Sequence, residues 1–99
     1  MDQSRPLKER FRALFTLKNI GGEEAIACIS KCFVDPSALL KHECAYCLGQ
    51  MQDQRAVPVL KERLEDLNED AIVRHEAGML ILSPAMAVFN IPPRYLAIL

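Results

Sequence analysis

An internal repeat constrains what this chain can fold into more than any other feature of its sequence. Residues 10–17 (RFRALFTL) align with residues 41–48 (KHECAYCL), and those align with residues 74–81 (RHEAGMLI). The segments between them match as well, because residues 25–29 (AIACI) align with residues 56–60 (AVPVL). The repeat is about 30 residues long and contains two apolar-periodic segments. This pattern is typical of an α-solenoid, in which every helical hairpin buries its apolar face against the next hairpin.

Helices account for all of the predicted secondary structure, because no segment alternates apolar and polar residues as a strand does. The predicted fold class is therefore all-α, a short α-solenoid of helical hairpins. The predicted helices cover Leu7–Asn19, Glu23–Phe33, Pro36–Met51, Gln54–Asp66 and Glu69–Leu82.

Glycine, proline and capping residues predict where these helices start and end. The glycine pair at residues 21–22 ends the first helix, as a left-handed C-terminal residue does. Asp35 is predicted to cap the third helix, with Pro36 at its first position. Asn68 and the acidic residues after it start the fifth helix. Pro58 fits early in the fourth helix, which it should bend.

Composition limits the classes of function. Apolar residues make up 51% of the 99 residues and charged residues 25%, which is typical of one small folded domain. With a net charge of -1, the chain lacks the excess of basic residues that is typical of a nucleic-acid-binding protein. Basic residues throughout the first segment argue against a secretory signal. Prolines interrupt the long apolar stretch near the end, so no membrane span is predicted. Four cysteines without a signal predict reduced thiols and a cytoplasmic location.

Both histidines of the chain occupy the same repeat position, and a glutamate follows each of them. On a helical wheel, both point away from the apolar stripe of their own helix. On the helix that carries His42, the apolar stripe consists of Cys44, Cys47, Leu48 and Met51. On the helix that carries His75, it consists of Ala77, Leu80 and Ile81. The first repeat has Phe11 at this position and offers no ligand.

These histidines have three possible interpretations: hydrogen-bonded core residues, solvated His-Glu pairs repeated by duplication, and a metal site. The wheel argues against the first. Neighbouring helices pack about 8–10 Å apart, so two imidazoles on them could reach one ion. Small residues at Ala45, Gly49 and Gly78 are expected to leave room for an ion and a substrate. Histidine and carboxylate ligands suit iron or manganese, and periodicity leaves open which of Glu43 and Glu76 binds the metal.

The cysteines are interpreted as structural. Cys44 and Cys47 share one face of the third helix, and that face is the apolar stripe. Cys28 and Cys32 are interpreted in the same way, although Cys32 lies near the helix end, where a side chain can be exposed. A zinc site built from His42 with Cys44 or Cys47 is an alternative. It is disfavoured because the side chains would have to converge from opposite faces of one helix.

Three segments resemble the deoxyhypusine hydroxylase family, namely residues 11–22 (FRALFTLKNIGG), 35–53 (DPSALLKHECAYCLGQMQD) and 73–78 (VRHEAG). The resemblance implies a HEAT-repeat solenoid with two symmetrical halves and two His-Glu motifs in each half. It implies a non-haem di-iron monooxygenase as well. Such an enzyme uses dioxygen to hydroxylate a deoxyhypusine side chain in the hypusine-containing translation factor, and this step completes hypusine.

The resemblance also implies roles for four side chains. His42, His75 and Glu76 would be the Fe(II) ligands contributed by the first half. Glu43 would contact the cationic side chain of the substrate and would not bind iron, because a carboxylate attracts an extended amine.

The chain departs from the family pattern after Gly78, which predicts a truncated or alternative form. Residues 1–82 are expected to form the N-terminal HEAT-repeat half-domain, and residues 83–99 a divergent apolar tail. A second half or a dimer would be needed to complete the iron site. The alternative function is that of a catalytically inactive HEAT-repeat fragment that acts as a protein-interaction module.

Overall fold

The structure is a computed structural model that describes residues 3–83. Its α-helices are α1 (Leu7–Ile20), α2 (Gly22–Ser30), α3 (Ala38–Gln50), α4 (Val57–Glu65) and α5 (Ala71–Ile81). Short 3-10 turns cover Lys31–Val34 and Gln54–Ala56. This part of the chain contains no β-strand, so the predicted all-α fold class is confirmed. The predicted tail lies outside the described residues, apart from Ser83.

Helices α1, α3 and α5 are successive neighbours, and α3 contacts both of the others. Helix α2 packs on α1 and α3, while α4 packs on α5. Hairpins that each lie against the next one are the arrangement that the internal repeat predicts.

A glycine pair makes the sharp connection between α1 and α2. Gly21 has φ 71° and Gly22 has φ 85°, a region that residues with a Cβ atom rarely adopt. The Gly21 N–H donates to the Leu17 carbonyl at 3.0 Å, which closes the last turn of α1. The predicted end of the first helix is therefore confirmed.

Helix α3 starts two residues later than predicted, because Asp35 is not its cap. The Ser37 hydroxyl accepts a hydrogen bond from the Leu40 N–H at 3.1 Å and caps the helix instead. The Asp35 carboxylate accepts hydrogen bonds from the Ser37 N–H at 2.8 Å and from Arg10 Nη1 at 2.6 Å. It therefore ties the start of α3 to α1.

Helix α5 shows the same difference. Asp70, and not Asn68, caps it by accepting a hydrogen bond from the Ile72 N–H at 2.9 Å. In α4, Pro58 lies in the first turn, where the amide hydrogen that proline lacks has no helical partner to lose. It therefore marks the start of the helix and not a bend within it.

One apolar core joins all five α-helices of the described residues. The largest fully buried residues include Leu14, Ile29, Leu40, Leu48, Leu60, Leu64, Val73 and Ile81. Between residues 3 and 83, no helix is both long enough and apolar enough to cross a bilayer.

Candidate metal centre

Helices α3 and α5 approach each other closely because α3 presents small residues to α5. A Cβ atom placed on Gly49 would lie 2.5 Å from Cδ2 of Leu80. Ala45 on the same helix is fully buried. The small side chains therefore admit α5, and the expectation that Gly49 leaves room for an ion and a substrate is wrong.

The close approach brings His42 of α3 against Glu76 of α5. His42 Nε2 and Glu76 Oε2 lie 3.1 Å apart, although 34 residues separate them in the sequence. Both side chains are partly accessible, with 29% of His42 and 17% of Glu76 exposed. The wheel prediction that His42 stays out of the fully buried stripe is confirmed.

Glu43 lies on the other side of the same imidazole. Its Oε1 atom is 3.6 Å from His42 Nδ1, which is within ion-pair range but longer than a hydrogen bond. The Glu43 side chain is 28% exposed. It therefore keeps a carboxylate accessible beside the histidine.

His75 precedes Glu76 on α5 and is exposed. Within residues 3–83, no three His, Cys, Asp or Glu side chains converge on a point that could hold a metal ion. Of the three predicted iron ligands, the structure thus brings His42 and Glu76 together and leaves His75 to one side.

The contact between His42 and Glu76 has the length of a hydrogen bond, and the same separation is compatible with two ligands of one ion. Two donors about 2.1 Å from an ion and at right angles to each other are separated by about 3 Å. The observed separation is 3.1 Å, and it joins an imidazole nitrogen to a carboxylate oxygen. This donor set suits iron. Within residues 3–83, His42 and Glu76 are thus two candidate ligands that lie together, without a third beside them.

A groove opens beside His42 at the start of α3 and α5. It has a volume of about 300 Å³ and is lined by Ala38, Leu39, His42 and Ile72. Leu39 and Ile72 are both largely exposed. The accessible space beside the histidine thus has apolar walls.

A buried ion pair holds the loop before α5 in place. Lys41 Nζ donates to Glu69 Oε1 at 2.6 Å, and Arg63 Nη1 donates to Glu69 Oε2 at 3.1 Å. Burial alone would raise the pKa of Glu69, but the hydrogen bonds from Lys41, the Asp70 N–H and Arg63 lower it below its ordinary value. This carboxylate remains charged in the fold and fixes α5 against α3.

Sequence reasoning missed this ion pair, although a signal for it was present. The residue before the histidine position is basic in all three repeats, as Arg10, Lys41 and Arg74. Arg10 pairs with Asp35 as Lys41 pairs with Glu69. A basic residue that recurs at one position is therefore a sign of a recurring structural contact.

The cysteines of α3 belong to the core, as predicted. Cys44 and Cys47 are fully buried, and all four cysteines are free thiols. A thiol contact with Cys32 and burial raise the pKa of Cys44, and burial raises the pKa of Cys47 to about 11. For the other pair, the interpretation as core residues is confirmed for Cys32, which is buried, and is wrong for Cys28, which is exposed.

Comparison with known proteins agrees with the internal repeat. The profile of the HEAT repeats family matches residues 2–81. The chain is 66% identical over 77 residues to deoxyhypusine hydroxylase of Drosophila melanogaster, which covers 78% of this chain and 26% of that protein. It is 62% identical over 78 residues to the proteins of the same name from Rattus norvegicus and Homo sapiens. Each of these two alignments covers 79% of this chain and 26% of the relative.

A solved structure of human deoxyhypusine hydroxylase in complex with glycerol is similar as well. The TM-score is 0.83 at 54% sequence identity, over 98% of this chain and 32% of that chain. The resemblance seen in the three sequence segments is confirmed, and this chain spans 26% of the length of the curated relatives named above. The chain belongs to the HEAT-repeat family, and its sequence is similar to that of deoxyhypusine hydroxylase.

Proposed function

We propose that this chain is a portion of a deoxyhypusine hydroxylase that carries half of the ligands of an iron site. The observation that carries the proposal is the His42–Glu76 contact between adjacent repeats, with its separation of 3.1 Å. The relatives that bear this name support the activity, which is hydroxylation of a deoxyhypusine side chain in the hypusine-containing translation factor.

His42 and Glu76 would hold an Fe(II) ion, and His75 would be the third ligand from this chain. His75 lies next to Glu76 in the sequence and is exposed, so a change of its side-chain rotamer is not blocked by the core. Iron bound by histidine and carboxylate ligands supplies the chemistry that activates dioxygen. The packing of α3 on α5 holds His42 and Glu76 next to each other.

Glu43 would bind the amine of the substrate. Its carboxylate is accessible and lies beside His42 on the side opposite to Glu76. A negative charge there attracts an extended cationic side chain and orients it toward the metal. Glu43 and Glu76 thus take different roles because they flank different nitrogens of one imidazole.

A second set of ligands, from another half or from a second copy of the chain, would complete a di-iron centre. Two converging donors alone leave most positions around an iron ion to water. We therefore expect the isolated chain to bind at most one Fe(II), and to bind it weakly. We propose a cytoplasmic location as well, because the four free thiols suit a reducing compartment.

The test is anaerobic loading of the purified chain with Fe(II), followed by metal analysis and sedimentation. One weakly held iron in a monomer, or two irons in a dimer, would support the proposal. Two tightly held irons in a strict monomer would refute it. Adding dioxygen and a translation factor that carries deoxyhypusine then tests turnover, with the gain of one oxygen atom measured by mass spectrometry.

The second candidate function is that of a non-catalytic interaction module. The groove with exposed Leu39 and Ile72 favours it, because exposed apolar surface beside polar groups often marks a protein-binding site. Binding of a protein partner that is unchanged by Glu43→Gln and by removal of iron would favour this function over the enzymatic one.

A further inference from the structure

Two consecutive hydrogen bonds link α1 to an exposed tyrosine of α3. Lys18 Nζ donates to Gln50 Oε1 at 2.7 Å, and Gln50 Nε2 donates to the Tyr46 hydroxyl at 2.7 Å. A lysine ammonium group can only donate, so it fixes which end of the Gln50 amide faces the tyrosine. That end is the NH₂ group, and the hydroxyl oxygen of Tyr46 is therefore an acceptor in this contact.

The hydroxyl hydrogen of Tyr46 remains available for a ligand. A phenol has one hydrogen to donate, and a contact in which its oxygen accepts leaves that hydrogen unused. Among residues 3–83, Gln50 is the hydrogen-bond partner of this hydroxyl, and no residue accepts a hydrogen bond from it. Because the oxygen already accepts from an amide that Lys18 polarises, the O–H group is also a stronger donor.

Tyr46 lies on the same face of α3 as the candidate site. It follows His42 by four residues and Glu43 by three, and residues at these spacings are neighbours on a helix. Tyr46 is exposed, and the other two side chains are partly accessible. The hydroxyl donor and the Glu43 carboxylate thus border one accessible surface.

The internal repeat supports this placement of Tyr46 on an open surface. Phe15 of α1 and Met79 of α5 align with Tyr46, and both are exposed as it is. Since α1, α3 and α5 are successive neighbours, the three large side chains form a row across these helices. Exposed apolar surface of this kind is typical of a site that binds a ligand or a protein. Within the row, only the tyrosine offers a hydrogen-bond donor.

The chemistry of the proposed substrate decides what this donor meets. Both amines of a deoxyhypusine side chain are protonated at neutral pH, so they donate hydrogen bonds and accept none. They suit the Glu43 carboxylate and offer no acceptor to the Tyr46 O–H group. The main-chain carbonyl oxygens of the substrate are acceptors, and the four-carbon stem of a lysine-derived side chain separates them from the first amine. This length is similar to the spacing of about 5–6 Å between helical residues three or four apart.

We propose that Tyr46 is a substrate-binding residue whose O–H group donates to a main-chain carbonyl of the polypeptide that carries the deoxyhypusine side chain. Lys18 and Gln50 are positioning residues that act through this hydroxyl. The inference rests on the proposed function, in which Glu43 binds the amine. Recognition is then divided between two groups, since the carboxylate selects the amine and the hydroxyl selects the peptide.

Two probes separate the peptide contact from the amine contact. One is a short peptide that has a single deoxyhypusine residue and blocked termini. The other is N-butylputrescine, a diamine that reproduces the side chain and has no carbonyl group. Binding of each probe to the full chain, without added metal, is measured by nuclear magnetic resonance titration.

The Tyr46→Phe chain should bind the peptide about fivefold more weakly, because a neutral hydrogen bond is lost, and should bind the diamine normally. Gln50→Met should show the same pattern, since the hydroxyl is no longer oriented. Glu43→Gln should weaken the binding of both probes at least about tenfold. Thr16→Val on α1 is the matched control. It also removes one exposed hydroxyl and should bind both probes normally.

Equal peptide affinity of the Tyr46→Phe chain and the unsubstituted chain would overturn the inference. If Glu43→Gln still weakens the binding of both probes, the proposed function stands. A loss of diamine affinity in Tyr46→Phe would also overturn the inference, because the hydroxyl would then act on the amine or on the fold. Unchanged diamine affinity in Glu43→Gln, or no binding of either probe to the unsubstituted chain, would overturn the proposed function and the inference with it.

Discussion

His42 Nε2 lies 3.1 Å from Glu76 Oε2 across the interface between α3 and α5. The same interface holds Gly49 against Leu80 and Lys41 against Glu69. The separation of the two candidate ligands is therefore set by contacts that lie on either side of them. Changes to the ligands and changes to the interface should have separable effects on metal binding and on stability.

His42→Ala and Glu76→Gln should each weaken Fe(II) binding at least about tenfold, because each removes one of two converging donors. Helicity should change little, since neither side chain is part of the fully buried core. Anaerobic equilibrium dialysis with metal analysis measures the first effect, and far-ultraviolet circular dichroism the second. Exposed Glu62→Gln is the control and should bind iron normally.

The His75→Ala variant tests whether His75 binds the metal in addition to His42 and Glu76. If His75 turns toward the metal, its loss should also lower iron affinity while leaving thermal stability unchanged, because the side chain is exposed. Unchanged affinity in this variant would remove His75 from the proposed ligand set.

Gly49→Ala should destabilise the chain by about 1–3 kcal/mol, because the new methyl group overlaps Leu80 at the α3–α5 interface. Either the partly buried Leu80 side chain or the helix α5 must then shift, and iron affinity should fall only if the helix moves. Urea denaturation measures the first effect. The double variant Gly49→Ala, Leu80→Ala should lose less free energy of unfolding than the sum of the losses in the two single variants, because the methyl group no longer meets the leucine. Strict additivity would show that the methyl group does not meet Leu80.

Much of the fold was predictable because its signals are local or periodic. The glycine pair at residues 21–22 ends α1 through its own backbone preference, whatever surrounds it. The internal repeat gave the order of the hairpins. The start of α3 was misplaced because Asp35, which looks like a local cap, binds Arg10 of the preceding repeat. The start of α5 was misplaced because Asp70, and not Asn68, caps that helix.

The sequence predicts on which side of its helix His42 lies, but not which residue of the neighbouring helix it contacts. A helical wheel places His42 outside the buried stripe, and the structure agrees. The wheel cannot say which residue of the neighbouring helix a side chain meets, because that depends on the register between two helices. Gly49 shows the same limit, since its small size admits Leu80 and not a ligand.

Stability should fall as the pH drops below about 4, the ordinary pKa range of Asp and Glu. The hydrogen bonds to Arg10 and Ser37 outweigh burial and lower the pKa of Asp35, and the bonds to Lys41, Asp70 and Arg63 do the same for Glu69. A carboxylate with a lowered folded-state pKa stabilises the fold above its unfolded pKa. This contribution is lost as the pH falls through the folded pKa.

Urea denaturation at about pH 7 and about pH 3 measures this dependence. Asp35→Asn or Glu69→Gln should cost about 2 kcal/mol at neutral pH, the typical value of a hydrogen bond to a charged group. Each variant should also lose less stability on acidification than the unsubstituted chain. Exposed Glu65→Gln should keep the full pH dependence, and a pH dependence unchanged in both test variants would contradict the assignment.

Cys28 should be the only cysteine that iodoacetamide modifies in the folded chain at neutral pH. It is exposed, whereas the other three thiols are buried. Alkylation requires an accessible thiolate, and the raised pKa values of Cys44 and Cys47 oppose its formation. Peptide mapping by mass spectrometry should therefore find a single modified site, and Cys28→Ser should abolish modification. In denaturant all four cysteines should react. Rapid modification of Cys44 in the folded chain would mean that α3 is not held in the core, and the support for the His42–Glu76 pair would be lost with it.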